Sequence, residues 1–150
     1  MEDEKKFYGH RKMRVWQNLD KIEYLVRNKI LPLIPKNKYS LIDQIDRSCG
    51  SSMANFIEGY YSGSLKEYLR FLSYSRRSTA ELQDWVRRSH YDGFIKQAEY
   101  LEFDDLAIKT VFLINRLVYA LKKKAVEGKQ GQMKSEGNRG QIRANEVIEG

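Results

Sequence analysis

Apolar residues recur along this chain at steps of three and four, and strict alternation is rare. Val15, Leu19, Ile22, Val26 and Ile30 fall on one face of a first helix predicted from about Lys12 to Leu31. The chain's two prolines, Pro32 and Pro35, end it and stiffen the connection that follows. A second helix opens near Ser40 and closes around Gly59 to Gly63, with Ile42, Ile45, Cys49, Met53, Phe56 and Tyr60 as its apolar stripe. Ser64-Leu65-Lys66-Glu67 has the form of a capping box, in which serine and glutamate satisfy two free amides at the start of a third helix. That helix runs to about Tyr91, where Gly93 is placed to close it. The fourth reads through Phe103, Ala107, Val111, Ile114, Val118 and Leu121, after a short helical entry at Phe94 to Tyr100. Four amphipathic helices with short loops predict an all-α fold, an antiparallel up-down four-helix bundle.

The second helix carries more polar side chains than a solvated face needs. Gln44, Arg47, Ser51, Asn55 and Glu58 follow one another at steps of three and four and lie along one edge. Ser48, Gly50, Ser51, Ser52 and Ala54 crowd the same turns, so a neighbouring helix can approach closely. An edge of this kind suits either a hydrogen-bonded network inside one bundle or a subunit interface in which polar groups set the register.

The segment Gln44 to Gly59 resembles the signature of the four-helix-bundle proteins encoded in intervening sequences of bacterial 23S rRNA genes. Gln44, Arg47, Ser51, Asn55, Glu58 and Gly59 stand at that family's offsets. Val15-Trp16-Gln17 resembles its opening helix, and Tyr39 and Leu41 precede the signature as they do there. Lys66-Glu67-Tyr68, Phe71-Leu72, Ser78, Glu81 and Leu82 resemble its third helix. The likeness runs from about residue 13 to residue 122. Ile57 stands where the family usually has a small residue, and Arg77 where it usually has glycine. The resemblance implies the bundle fold and small ring-shaped homo-oligomers, typically pentamers, with the signature residues serving structure or assembly.

Composition adds boundaries. A chain of 150 residues holds one domain with a real core. A single cysteine rules out an internal disulfide framework and fits a reducing, cytoplasmic setting. The charged start, Met1 to Lys6, is unlike a signal peptide, and no apolar stretch reaches the roughly 20 residues of a membrane span. From Ala125 onward five of the ten glycines gather with no aromatic residue, which predicts a disordered tail over 125–150. The expected organisation is an N-terminal arm over 1–10, the bundle over 11–124 and that tail.

The tail's four basic and four acidic residues cancel, so the net charge of +7 resides in residues 1–124. Counting about 100° per residue along the third helix, Lys66, Arg70, Arg77 and Arg88 fall within about 40° of one another. Leu65, Tyr68, Leu72, Thr79, Leu82 and Val86 lie opposite. Arg76 and Arg87 flank the basic stripe, while Asp84 sits within it and Glu81 beside it. Such a stripe is either a solvated face or a surface for a polyanion. Arg11, Lys12 and Arg14 before and at the first helix, and Lys122, Lys123 and Lys124 in the fourth, add cations that antiparallel neighbours would bring together. Tyr60, Tyr61 and Tyr74 can stack on bases or pack between helices.

Catalytic chemistry finds little support. His10 and His90 have no metal-ligand spacing to Cys49 or to a carboxylate, and Cys49 lies on an apolar stripe. No phosphate-loop motif is present. Helical-bundle ribonucleases of toxin–antitoxin systems carry an arginine separated from a histidine by four to six residues; before His90 those places hold Trp85, Asp84 and Gln83. Asp104, Asp105 and Glu58 lack the spacing of a di-metal site. The expectation is a protein without catalytic residues, metal or cofactor. Two functions remain. One is an accessory protein, a cationic ring that holds RNA or RNA–DNA. The other, also from resemblance, is the accessory subunit that partners the reverse transcriptase of diversity-generating retroelements.

Overall fold

The computed structural model describes the backbone of residues 8–149 and the side chains of residues 8–137. Most of the N-terminal arm expected over 1–10 therefore lies outside the described residues. A 3-10 turn, Gly9–Lys12, leads into four helices: α1 (Arg14–Leu25), α2 (Tyr39–Tyr60), α3 (Leu65–Tyr91) and α4 (Gln97–Glu149). No strand occurs among the described residues, and none of their helices is long and apolar enough to cross a membrane.

The apolar stripes become the core. Val15, Leu19, Ile22 and Leu25 of α1 are buried, and a π-type turn, Val26–Ile30, keeps Val26 and Ile30 inward before the 3-10 turn Leu31–Leu33 at Pro32. Ile45, Cys49 and Phe56 of α2 meet them, as do Leu72, Leu82 and Val86 of α3 and Phe103, Ala107 and Ile114 of α4. Burial pushes the Cys49 thiol up to about 12, in keeping with a core side chain. Leu65, expected on the core side, is exposed because it lies at the first residue of α3, before the helix meets its neighbours.

The capping box at α3 forms by half. The Ser64 hydroxyl accepts from the Glu67 amide at 3.3 Å. The Glu67 carboxylate pairs forward with Arg70 at 2.6 Å instead of reaching back. At the far end, Gly93 adopts φ 84° and its amide donates to the His90 carbonyl, while the Phe94 amide reaches Ser89. This is the glycine-closed helix end that the sequence predicts. The helical entry expected over Phe94 to Tyr100 forms only from Gln97, where α4 starts; residues 94–96 are irregular. His90 Nδ1 donates to the Ile95 carbonyl at 2.7 Å and the imidazole stacks on Tyr100, which fixes this turn in a non-helical path.

Chain contacts divide the molecule into two units, between Arg116 and Leu117. The second contains the segment read as a tail. Its side chains from Val126 to Gly137 are all exposed, so these residues contribute nothing to a core. The described backbone of that segment continues α4 to Glu149.

α2 and α3 are antiparallel and unusually close. Arg47 meets Glu81, Ser51 meets Ser78, Ser52 meets Ser75, and Gly59 meets Phe71 and Tyr68, so numbering rises on one helix as it falls on the other. A Cβ on Gly59 would lie 2.9 Å from Phe71 Cβ and 3.1 Å from Tyr68 Cδ2. Gly50, in the same helix, has nothing within 4 Å of that position. The two glycines separate packing from helix propensity. Gly50→Ala is expected to raise stability by up to about 1 kcal/mol, whereas Gly59→Ala should lower it by about 1–2 kcal/mol because overpacking outweighs the same propensity gain. Urea denaturation of both variants checks this, and equal effects would reject the close crossing at Gly59.

Candidate nucleic-acid interface

The polar edge of α2 turns inward on α3. Ser51 Oγ and Ser78 Oγ are 2.8 Å apart, and Asn55 Nδ2 donates to the Ser51 carbonyl and hydroxyl at 2.9 and 3.0 Å. Deeper in the crossing, Ser75 Oγ donates to the Ser52 carbonyl at 2.7 Å and Thr79 Oγ1 to Ser52 Oγ at 3.2 Å. Ser48, Ser52, Ser75 and Thr79 are buried yet hydrogen-bonded, which removes the cost of burying a hydroxyl. At the outer end Arg47 donates to Gln44 Oε1 at 2.6 Å and to Glu81 Oε1 at 3.0 Å. Leu82 is fully buried, and Glu58 is exposed. Signature residues on both helices thus form one intramolecular seam.

With one side of α3 held in the seam, its other side faces outward. Lys66, Arg70, Arg77, Arg87 and Arg88 are exposed, and the span from Lys66 to Arg88 is about 33 Å along the helix. Arg76 is the exception: half-buried, it donates to Asn115 Oδ1 of α4 at 2.8 Å and ties two helices together. Asn115 as its partner could not be read from the sequence, because the two lie 39 positions apart.

Acids on the same helix answer part of this charge. Arg70 pairs with Glu67, and Arg87 and Arg88 both pair with Asp84, at 2.9 and 2.8 Å. The hydrogen bond from Arg87, with the charges of Arg88 and Arg87, holds the Asp84 carboxyl below the usual range. Six cations on α3 face three carboxylates, and one of those, Glu81, already serves Arg47. Among the described residues Lys66 and Arg77 form no ion pair.

Aromatic rings alternate with these cations. Arg70 lies over Phe71 at 5.2 Å and over Tyr74 at 6.0 Å, and Arg77 lies over Tyr74 at 5.9 Å. One ring therefore holds two guanidinium groups, one from the turn before it and one from the turn after. Arg88 lies over Trp85 at 4.9 Å, and the Trp85 indole N–H donates to Glu81 at 3.4 Å. Trp85 is the residue that the sequence reading passes over. Its place three before Arg88 and four after Glu81 was the available signal.

The remaining basic residues belong to other parts of the chain. Arg11, Lys12 and Arg14 are exposed around the start of α1, with Arg11 over Trp16 at 5.9 Å. Lys122, Lys123 and Lys124 are exposed within the second unit. Tyr60 and Tyr61 belong to an aromatic cluster with His10, whose Nδ1 lies 2.8 Å from the Tyr61 hydroxyl. No group of three or more histidine, cysteine or acidic residues able to hold a metal ion occurs among the described residues.

The family model described as 23S rRNA-intervening sequence protein matches residues 11–116, ending before Lys122 to Lys124. No curated protein matches the chain.

Asp84 is the test of how strongly this face attracts anions. Asp84→Asn removes one negative charge and releases Arg87 and Arg88, so the variant is expected to elute from heparin at higher salt than the parent, with little change in melting temperature. Unchanged elution would mean that the two arginines do not contribute to polyanion attraction.

Proposed function

The chain belongs to the 23S rRNA-intervening sequence protein family, and on that premise we propose that it is a non-catalytic accessory protein that binds RNA on the outer face of α3 and acts as a ring-shaped homo-oligomer. The observation that carries the reading is the alternation of cations and rings from Arg70 to Arg88, in which Arg77 has no ion pair among the described residues. Phosphates need cations spaced along a backbone, and rings that hold guanidinium groups in place reduce the entropy lost on contact. Lys66, Arg11, Lys12, Arg14 and Lys122 to Lys124 add exposed charge of the same sign.

A single such face is a weak site. Several copies in one ring strengthen it through effective concentration, without any new contact. The signature edge, largely engaged with α3, leaves assembly to another surface. The best supported is the outer face of α4, where Leu101, Ile108 and Phe112 are 52, 56 and 59% exposed. Apolar side chains grouped this way on a helix mark an interaction surface. Five subunits is the number that family resemblance suggests.

Fluorescence anisotropy with a structured RNA, across a salt series, tests the binding. Affinity should fall steeply with salt, with a log–log slope of about −0.7 for each single-strand phosphate neutralised. Arg70→Glu/Arg77→Glu should weaken binding at least about tenfold and flatten that slope. Failure of the parent to bind at low salt would reject the reading and turn attention to a protein partner. For assembly, light scattering after size exclusion should give an oligomer for the parent and a monomer for Ile108→Glu/Phe112→Glu. An unchanged mass would place the interface elsewhere.

A further inference from the structure

We propose that the groove where the start of α2 meets the end of α3 receives an unpaired base of single-stranded RNA. The inference rests on the RNA-binding reading above and names the feature of the ligand that reading leaves open. The groove has a volume of about 520 Å³, and its walls include Lys38, Tyr39 and Leu41 from α2 and its approach, Trp85 and Arg88 from α3, and Phe94 from the turn beyond. That volume falls within the range of about 300–1,000 Å³ typical of small-ligand sites.

Its chemistry suits a nucleotide better than an aliphatic ligand. Three of its walls are aromatic, and two cations stand among them. Tyr39 is 77% exposed, a large ring at a helix start with nothing packed over it. Trp85 is held at its N–H by Glu81 and at its ring by Arg88, so its orientation is set before any ligand arrives. Flat rings and guanidinium planes are what unstacked RNA bases pack against. Lys38 and Arg88 supply charge complementary to the phosphates on either side of the base. The first turn of α2 holds no acidic residue and no side chain caps it, so the helix adds to the same field. Asp92, also in the wall, disfavours phosphate there and offers an acceptor to a base N–H.

The groove also lies in line with the stripe, since Arg88 belongs to both. A strand laid along α3 over Arg70 and Arg77 reaches the groove at the helix's C-terminal end. A duplex cannot fill it, because its bases are stacked and paired. The occupant is therefore an unpaired nucleotide, with the stripe holding the backbone that precedes or follows it.

The test compares an unstructured single-stranded RNA of about 12 nucleotides with the corresponding blunt duplex, using the full chain and anisotropy at fixed salt. The parent should prefer the single strand. Tyr39→Ala, at an exposed position where folding is not at stake, should weaken single-strand binding by about tenfold, as loss of one stacked base does, and leave duplex binding unchanged. Trp85→Leu should act in the same direction. Trp85 fluorescence, isolated in a Trp16→Phe background, should be quenched by the single strand and not by the duplex. If Tyr39→Ala and Trp85→Leu bind as the parent does, while Arg70→Glu/Arg77→Glu does not bind, the groove is overturned and the RNA reading stands. If the parent binds neither RNA, the RNA reading falls. Adenosine 5′-monophosphate at millimolar concentration then addresses the groove alone, and an unchanged Trp85 emission would overturn it too.

Discussion

The close antiparallel crossing of α2 and α3 is the constraint on which the rest of this structure depends. It exists because the residues at the contact are small: Gly59 at one end, and Ser48, Ser51, Ser52, Ser75, Ser78 and Thr79 along its length. Small side chains let two helices approach, but they bury little apolar area and leave hydroxyls in the interior. The hydroxyls are answered by carbonyls one turn back or by a partner across the crossing. Each such bond has a modest net worth of about 1 kcal/mol, whereas a buried hydroxyl left alone costs about 1–3 kcal/mol. That asymmetry makes the seam a device for register. A slip of one residue would strand the Ser75 hydroxyl and break the Ser51–Ser78 pair, while Ser48, Ser52 and Thr79 would keep carbonyls of their own helix.

Register in turn decides what α3 shows to solvent. With Ser75, Thr79, Leu82 and Val86 fixed inward, Arg70, Arg77 and Arg88 have no choice but to face out. Their local ion pairs do not withdraw them from other anions. Exposed pairs between neighbouring turns contribute at most about 1 kcal/mol and are screened by salt. A phosphate can therefore replace Glu67 or Asp84 at little cost. The rings beneath the guanidinium groups behave differently, since they attract the cation without neutralising it. A solvated face needs charge for solubility, but it does not need an aromatic ring under successive arginines.

Much of the fold was legible in the sequence, because apolar steps of three and four translate directly into buried faces. The stripes of α1 and α4, the Ser64 cap and the Gly93 stop were read from local pattern, and each depends on neighbours within one or two turns. What depended on distant partners was not legible. Nothing near Glu67 indicates that its carboxylate turns forward to Arg70. The irregular Phe94–Lys96 path depends on where His90 finds a carbonyl and on the Tyr100 ring beneath it. The polar edge of α2 was visible as an edge, but its direction toward α3 required the crossing itself. The cationic stripe was recognised by counting angles, whereas Trp85 and Tyr39 went unremarked as a pair. They meet only because the end of α3 returns to the start of α2.

The same return explains how a structural signature reaches an exposed surface. Gln44 and Glu81 hold Arg47, Glu81 also holds the indole of Trp85, and Trp85 carries Arg88, which shares Asp84 with Arg87. The series begins in the α2–α3 seam and ends on the exposed face in two turns of α3. A change at Glu81 therefore acts in two places. It loosens the register of the helices, and it releases the ring on which the outermost arginine rests. A residue that reads as purely architectural is, by this connection, a positioning residue for the surface that meets solvent.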